Sequence, residues 1–270
     1  MRVSCIQMNV AAGKPERNFA RAETLLRKAA RKKPDVIVLP ETWNTGFAPR
    51  HVDPAQADGD GTRTKTLLSA LAKELNVNIV AGSVVTRKSG RLHNTAYVFS
   101  RAGECIAEYD KTHLFSPAGE AETFAPGDTI ENFMLDGVPC AIVICYDIRF
   151  PELVRSLALE GMDILFVVAQ WPKSRRKQLN CMLRARAIEN QCYAVLTNGC
   201  GEANEVRFGG GSAIVDPLGE TLAIAGGRER IISAELDLSL LGPMRAALPV
   251  LQNRRPELYG ALSQTSERQK

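Results

Sequence analysis

Short runs rich in Val, Ile and Leu alternate along this chain with stretches of helical periodicity, so that it reads as strand, helix, strand almost from the start. Residues 3–8 predict a strand. After a break at Gly13-Lys14-Pro15, an amphipathic helix over about residues 18–32 carries Phe19, Ala22, Leu26 and Ala29 on one face, and Pro34 stops it. Val36-Ile37-Val38-Leu39 is apolar on both faces, as a strand inside a parallel sheet must be, and it ends in Pro40-Glu41-Thr42-Trp43. Residues 49–61 lack periodicity and read as a loop. A second helix, with Leu67, Leu68, Leu71 and Leu75 on its apolar face, leads to a strand at residues 78–81 and repeats the pattern. Alternating segments at 94–100 and 105–109 predict a hairpin whose second strand delivers Asp110-Lys111-Thr112-His113.

The centre of the chain is the stretch VPCAIVICYDIRFPE, residues 138–152. Its first half is a buried strand, and its second half opens a helix whose apolar face carries Leu153, Val154, Leu157 and Ala158. Residues 164–169 form the next strand and complete a parallel βαβ unit. A long helix over about 174–190, a strand at 193–197, a hairpin of 212–215 with 221–225 and a last strand at 231–236 follow. The long loop at 114–128 carries Glu120 and Glu122. From about residue 250 the chain is polar and is expected to cross the surface or a subunit interface, its last residues fraying. With no repeat and no linker, residues 1–270 read as a single domain of α/β or α+β class, built of two sheets with helices on their outer faces.

Composition narrows the class. A hydrophobic content of 45% with 24% charged residues excludes disordered and fibrous proteins. No apolar run approaches the roughly 20 residues that span a bilayer, and residues 1–10 lack the apolar core of a secretory signal, so a cytoplasmic protein without membrane partners is expected. The net charge of +4 is too small and dispersed to argue for nucleic acid. Seven cysteines, an odd number with no CxxC pair, indicate neither a disulfide framework nor a zinc site.

Cys145 and Glu41 each stand at the carboxyl end of a buried strand, where sites gather in parallel sheets. A lone cysteine there is most often structural. Helix-end N–H groups there would favour a thiolate and hold an oxyanion. The motifs VIVLPETW around Glu41, YDKTHLF around Lys111 and VICYDIRFPEL around Cys145, with RARAIENQCYA and SAIVDPLGE behind them, together change the reading. Over roughly residues 3–259 the chain resembles the nitrilase, or carbon–nitrogen hydrolase, superfamily.

That resemblance implies an α-β-β-α sandwich, assembly as a homodimer or larger oligomer, and a Glu-Lys-Cys catalytic set with no cofactor. Glu41 would act as base, Cys145 as nucleophile, and Lys111 with the backbone N–H of Tyr146 as the oxyanion site, through a thioester. The family's further glutamate is assigned to Glu120, nine residues after Lys111, with Glu122 as the alternative. A Cys145–His113–Asp147 triad is the competing arrangement.

The run QWPKSR followed by RARAIENQ resembles bacterial omega-amidases, which act on 2-oxoglutaramate and related monoamides. Arg175 would then pair with the substrate's far carboxylate, and Trp43, Phe115, Tyr146 and Trp171 would wall the pocket. Deaminated-glutathione amidases and N-carbamoyl amino acid hydrolases share the catalytic set, nitriles are a further substrate class, and an inactive member that binds a metabolite or a partner is the reading from outside catalysis.

Overall fold

The computed structural model describes residues 1–203 and 205–260. The first sheet is built from β1 (Arg2–Gln7), β2 (Val36–Val38), β3 (Asp58–Gly59), β4 (Asn78–Lys88), β5 (Arg91–Phe99), β6 (Cys105–Asp110) and, from the far end of the chain, β15 (Arg230–Glu235). Its order is β15-β1-β2-β4-β5-β6, with β3 paired to β4. β1, β2 and β4 run parallel, and the flanking pairs are antiparallel. The second sheet repeats this plan with β7 (Asn132–Leu135), β8 (Val138–Ile144), β9 (Ile164–Ala169), β10 (Tyr193–Asn198), β13 (Ala213–Val215) and β14 (Thr221–Ile224), in the order β14-β13-β10-β9-β8-β7. Here β8, β9 and β10 are the parallel core.

Alternation along each strand of the first sheet divides it between two cores. Ile37, Ile79, Tyr97 and Phe99 pack with Phe19, Ala22 and Leu26 of α1 (Pro15–Ala30) and with Leu68 and Leu71 of α2 (Thr62–Leu75). Val36, Val38, Val80 and Val98 turn the other way, into the core shared with the second sheet. The second sheet's outer face is covered by α4 (Pro151–Leu159) and α5 (Arg176–Asn190), through Val154, Leu157, Leu179 and Leu183. The result is the α-β-β-α layering expected of the sequence.

Differences lie at the connections. The strand expected at 78–81 runs on to Lys88 and turns through Ser89-Gly90 into β5, because Ser83 to Thr86 are buried on both faces. The loop at 114–128 contains a short helix, α3 (Glu120–Thr123). A hairpin of β11 (Cys200–Ala203) and β12 (Val206–Gly209), unread in the sequence, precedes the glycine run. α6 (Leu241–Ala247) leads to a largely exposed segment that includes Leu258 and Tyr259, while the fraying expected of the last residues lies outside the described residues. Among the described residues no helix is long and apolar enough to cross a membrane.

One bulge links fold to site. β4 changes register against β5 between Val80 and Ser83, and Gly82 sits there with φ +62°. A Cβ on Gly82 would collide with the Pro40 carbonyl, one residue before Glu41. Gly82→Ala is therefore expected to cost about 2–4 kcal/mol, the sum of left-handed strain and overpacking. Urea unfolding checks this, and an unchanged midpoint would contradict it.

Candidate active site

The site forms where strands of both sheets end. After β2 the chain passes Leu39 and Pro40 to Glu41 and then reverses at Thr42, whose φ is +39°. β6 ends at Asp110, so Lys111 follows directly, its main chain tied to β5 by Lys111 N–H donating to Asn94 O at 2.9 Å. β8 ends at Ile144, and Cys145, with φ +51°, begins a 3-10 turn over Cys145–Arg149. A left-handed non-glycine residue is strained, and its presence at Cys145 turns the side chain out of the sheet's own alternation.

Glu41, Lys111 and Glu120 are wholly enclosed. The Lys111 Nζ donates to Glu41 Oε1 at 2.9 Å and to Glu120 Oε1 and Oε2 at 2.9 and 2.8 Å, with all three side chains at 0% exposure. Asn94 Nδ2 donates to Glu41 Oε1 at 2.9 Å and to Glu120 Oε1 at 3.2 Å, and Gln170 N–H donates to Glu41 Oε2 at 2.7 Å. Phe115 N–H donates to Glu120 Oε2 at 2.7 Å, which fixes the short helix against the lysine. Glu122, the alternative to Glu120, is exposed and pairs with Arg50 instead.

Charge follows from this enclosure. Burial by itself works against the Lys111 ammonium, but the carboxylates of Glu41 and Glu120 outweigh it and hold the proton well beyond the ordinary lysine range. Burial pushes the Glu120 carboxyl up, Lys111 pulls it back, and the charge on Glu41 adds to the rise. The cluster thus sets one ammonium between two carboxyl groups. Beside it, burial and the Glu41 charge push the Cys145 thiol well up, with Lys111 opposing only in part, which favours the neutral thiol. Burial and the facing Glu41 carboxylate work against the thiolate that helix-end N–H groups would favour. Glu41 stands beside that thiol as both negative charge and hydrogen-bond acceptor, an arrangement able to take its proton on attack.

Asp147, buried on the same turn, ties the strand ends together. Its oxygens accept from Ile144 N–H at 3.0 Å, His113 N–H at 2.9 Å, Tyr109 OH at 2.8 Å and Thr112 Oγ1 at 3.2 Å. His113 Nδ1 also lies 2.9 Å from Asp147, and its ring stacks on Phe150 at 3.6 Å. The His–Asp half of the alternative triad therefore exists, but His113 neither lines the cavity nor bonds Cys145. Arg186, from the RARAIENQ run, donates twice to Ile148 O and clamps the turn from behind.

A cavity of about 590 Å³ opens over Cys145. Of the residues expected there, Phe115, Tyr146, Trp171 and Arg175 line it. Trp43 does not: the reversal at Thr42 sends its ring into the outer core against Phe19, where Nε1 donates to Ala81 O at 2.7 Å. Sequence reasoning also passed over Phe47, Arg149 and Gln170. The Phe47 ring faces Lys111 at 5.3 Å, and the Arg149 guanidinium lies 4.9 Å over Trp171. Gln170 follows the end of β9, as Cys145 follows β8, and that rule alone singles it out. Arg149, Arg175 and Arg207 make the mouth cationic, while the Arg175 guanidinium lies 5.5 Å over Phe115. The Tyr146 N–H belongs to the first turn of the 3-10 helix, whose opening N–H groups have no acceptor within the helix.

The family model for carbon–nitrogen hydrolases matches residues 2–246. A 2-oxoglutaramate amidase of Bacillus subtilis is 41% identical over 257 residues, covering 95% of this chain and 98% of that protein. The omega-amidase NIT2 of Xenopus tropicalis is 33% identical, covering 96% of each. A carbon–nitrogen hydrolase from Helicobacter pylori superposes with a TM-score of 0.91 at 27% identity, covering 98% of both chains.

Removing the central cation tests the electrostatic account. Lys111→Met is expected to lose about 3–5 kcal/mol near neutral pH, because it strands two buried carboxylates. The loss should shrink toward about pH 5, since the folded variant then binds more protons than the unfolded chain. Adding Glu120→Gln should restore part of it. Urea titrations of the single and double variants check this, and a pH-independent loss would contradict it.

Proposed function

The chain belongs to the carbon–nitrogen hydrolase family of the nitrilase superfamily, and from that premise we propose that it is an omega-amidase whose nucleophile is Cys145. The single observation that carries the reading is the enclosed Glu41–Lys111–Glu120 cluster beside Cys145 at a cationic cavity. Its substrate is a monoamide of the 2-oxoglutaramate type, with the amide at Cys145 and the far carboxylate among Arg149 and Arg175.

Cys145 Sγ attacks the amide carbon as Glu41 takes the thiol proton. The oxyanion lies between Lys111 Nζ and the Tyr146 N–H, each donor of this kind contributing on the order of 3 kcal/mol. Glu41 then passes the proton to the nitrogen, the C–N bond breaks and ammonia leaves a thioester. Water, deprotonated by Glu41, adds to the thioester, and its collapse releases the dicarboxylate and restores the thiol. Glu120 and Asn94 hold Lys111 and Glu41 in place and touch neither substrate nor sulfur in this scheme.

The protein works in the cytoplasm, where its seven cysteines stay free, as they are here. It assembles as a homodimer, supported by the exposed Ile188, Leu218 and Ile224, of which Ile188 abuts the turn next to Leu218.

Wild-type protein is expected to release ammonia from 2-oxoglutaramate, Cys145→Ala to release none, and His113→Ala to remain active. Arg149→Ala and Arg175→Ala should raise KM for 2-oxoglutaramate roughly tenfold or more, and far less for a neutral amide of similar length. Turnover by Cys145→Ala would contradict the mechanism. Turnover of N-carbamoyl amino acids with none of 2-oxoglutaramate would move the substrate class.

A further inference from the structure

Among the described residues lining the cavity, Gln170 has a side-chain amide that is buried without a partner. The residue is 1% exposed, and neither Nε2 nor Oε1 makes a hydrogen bond. Leaving such a group unpaired destabilises the fold, so an apolar residue of similar size would serve the fold better. Everything around Gln170 nonetheless fixes it in place. Its N–H donates to Glu41 Oε2 at 2.7 Å, and the next residue is locked by Trp171 N–H donating to Asn198 Oδ1 at 2.7 Å. Gly199 leaves room for the amide: a Cβ there would come within 3.0 Å of both Gln170 Cδ and Oε1.

The reaction proposed above brings one polar group to this place. The scissile amide must set its carbon on Cys145 Sγ, its oxygen toward Lys111 and the Tyr146 N–H, and its nitrogen within reach of Glu41. Gln170 adjoins both Glu41 and the cavity holding Cys145. We infer that Gln170 Oε1 accepts a hydrogen bond from the NH2 of the scissile amide, so that Gln170 selects carboxamides over esters. The inference rests on the amidase reading of this cavity. Holding one N–H turns the nitrogen lone pair of the tetrahedral intermediate toward Glu41, from which the proton comes as the C–N bond breaks. An ester brings no N–H, and the glutamine oxygen stays unpaired against it.

The test compares kcat/KM for a monoamide and for the matching monomethyl ester, in wild type, Gln170→Leu and Gly199→Ala. Both variants keep the backbone N–H at position 170. The amide-to-ester ratio is expected to fall about tenfold or more in Gln170→Leu and to fall, less steeply, in Gly199→Ala, where the new methyl presses on the amide. Thermal unfolding of Gln170→Leu should occur no lower than in wild type, because an unpaired polar group has been removed. Parallel loss of amide and ester turnover in Gln170→Leu would overturn the inference, as would an unchanged ratio in both variants or a marked drop in the melting temperature. Absence of amide turnover by the wild-type protein would instead overturn the amidase reading, and this inference with it.

Discussion

A lysine ammonium closed off from water is tolerable only where opposite charges and hydrogen bonds replace its hydration, and Lys111 meets that condition with two carboxylates at 2.8–2.9 Å. Much of the chain's course is arranged around this requirement. Glu41 comes from the end of β2, Lys111 from the end of β6, and Glu120 from a short helix returned by the loop after Lys111. Asn94, on β5 between them, bonds both carboxylates. None of these groups makes stable structure alone. Together they form a rigid charged floor beside Cys145, whose thiol the same enclosure pushes up.

A second polar node does the mechanical work. Asp147 draws the backbone of Ile144 and His113 and the hydroxyls of Tyr109 and Thr112 onto one carboxylate, which joins the end of the second sheet's β8 to the segment after the first sheet's β6. The sulfur thereby takes its position relative to Lys111 from a bond between sheets, with Arg186 supporting the turn from the helix behind. His113, which invited a triad, is a member of this node and stacks on Phe150. The two nodes do different work: the Lys111 cluster lies beside the sulfur, and the Asp147 cluster sets the distance between the parts.

The parallel cores were legible because runs such as residues 36–39, 141–144 and 164–169 are apolar on both faces, and a strand of that kind has few places to go. The meeting of Glu41, Lys111, Glu120 and Cys145 was legible through motif order. Periodicity fails where backbone turns decide direction. Trp43 lies two residues from Glu41, yet a left-handed Thr42 sends it to the opposite core. The β11–β12 hairpin went unread because Cys200 to Gly209 mixes glycine, charge and few apolar residues, so its pairing depends on contacts from distant segments, such as Cys200 N–H to Met8 O. Arg149 stood inside a quoted motif, but its place at the cavity depends on the 3-10 turn rather than on spacing.

On the proposed mechanism Cys145 rests protonated and yields its proton to Glu41 only as it attacks. Thiolate absorbance in the ultraviolet, measured against pH as the difference between wild-type protein and Cys145→Ser without substrate, reads that proton. No thiolate signal is expected from this residue between about pH 5 and 8, its titration lying above that of an ordinary thiol near 8.5. A thiolate already formed below about pH 7, of the kind a cysteine–cation pair produces, would contradict it.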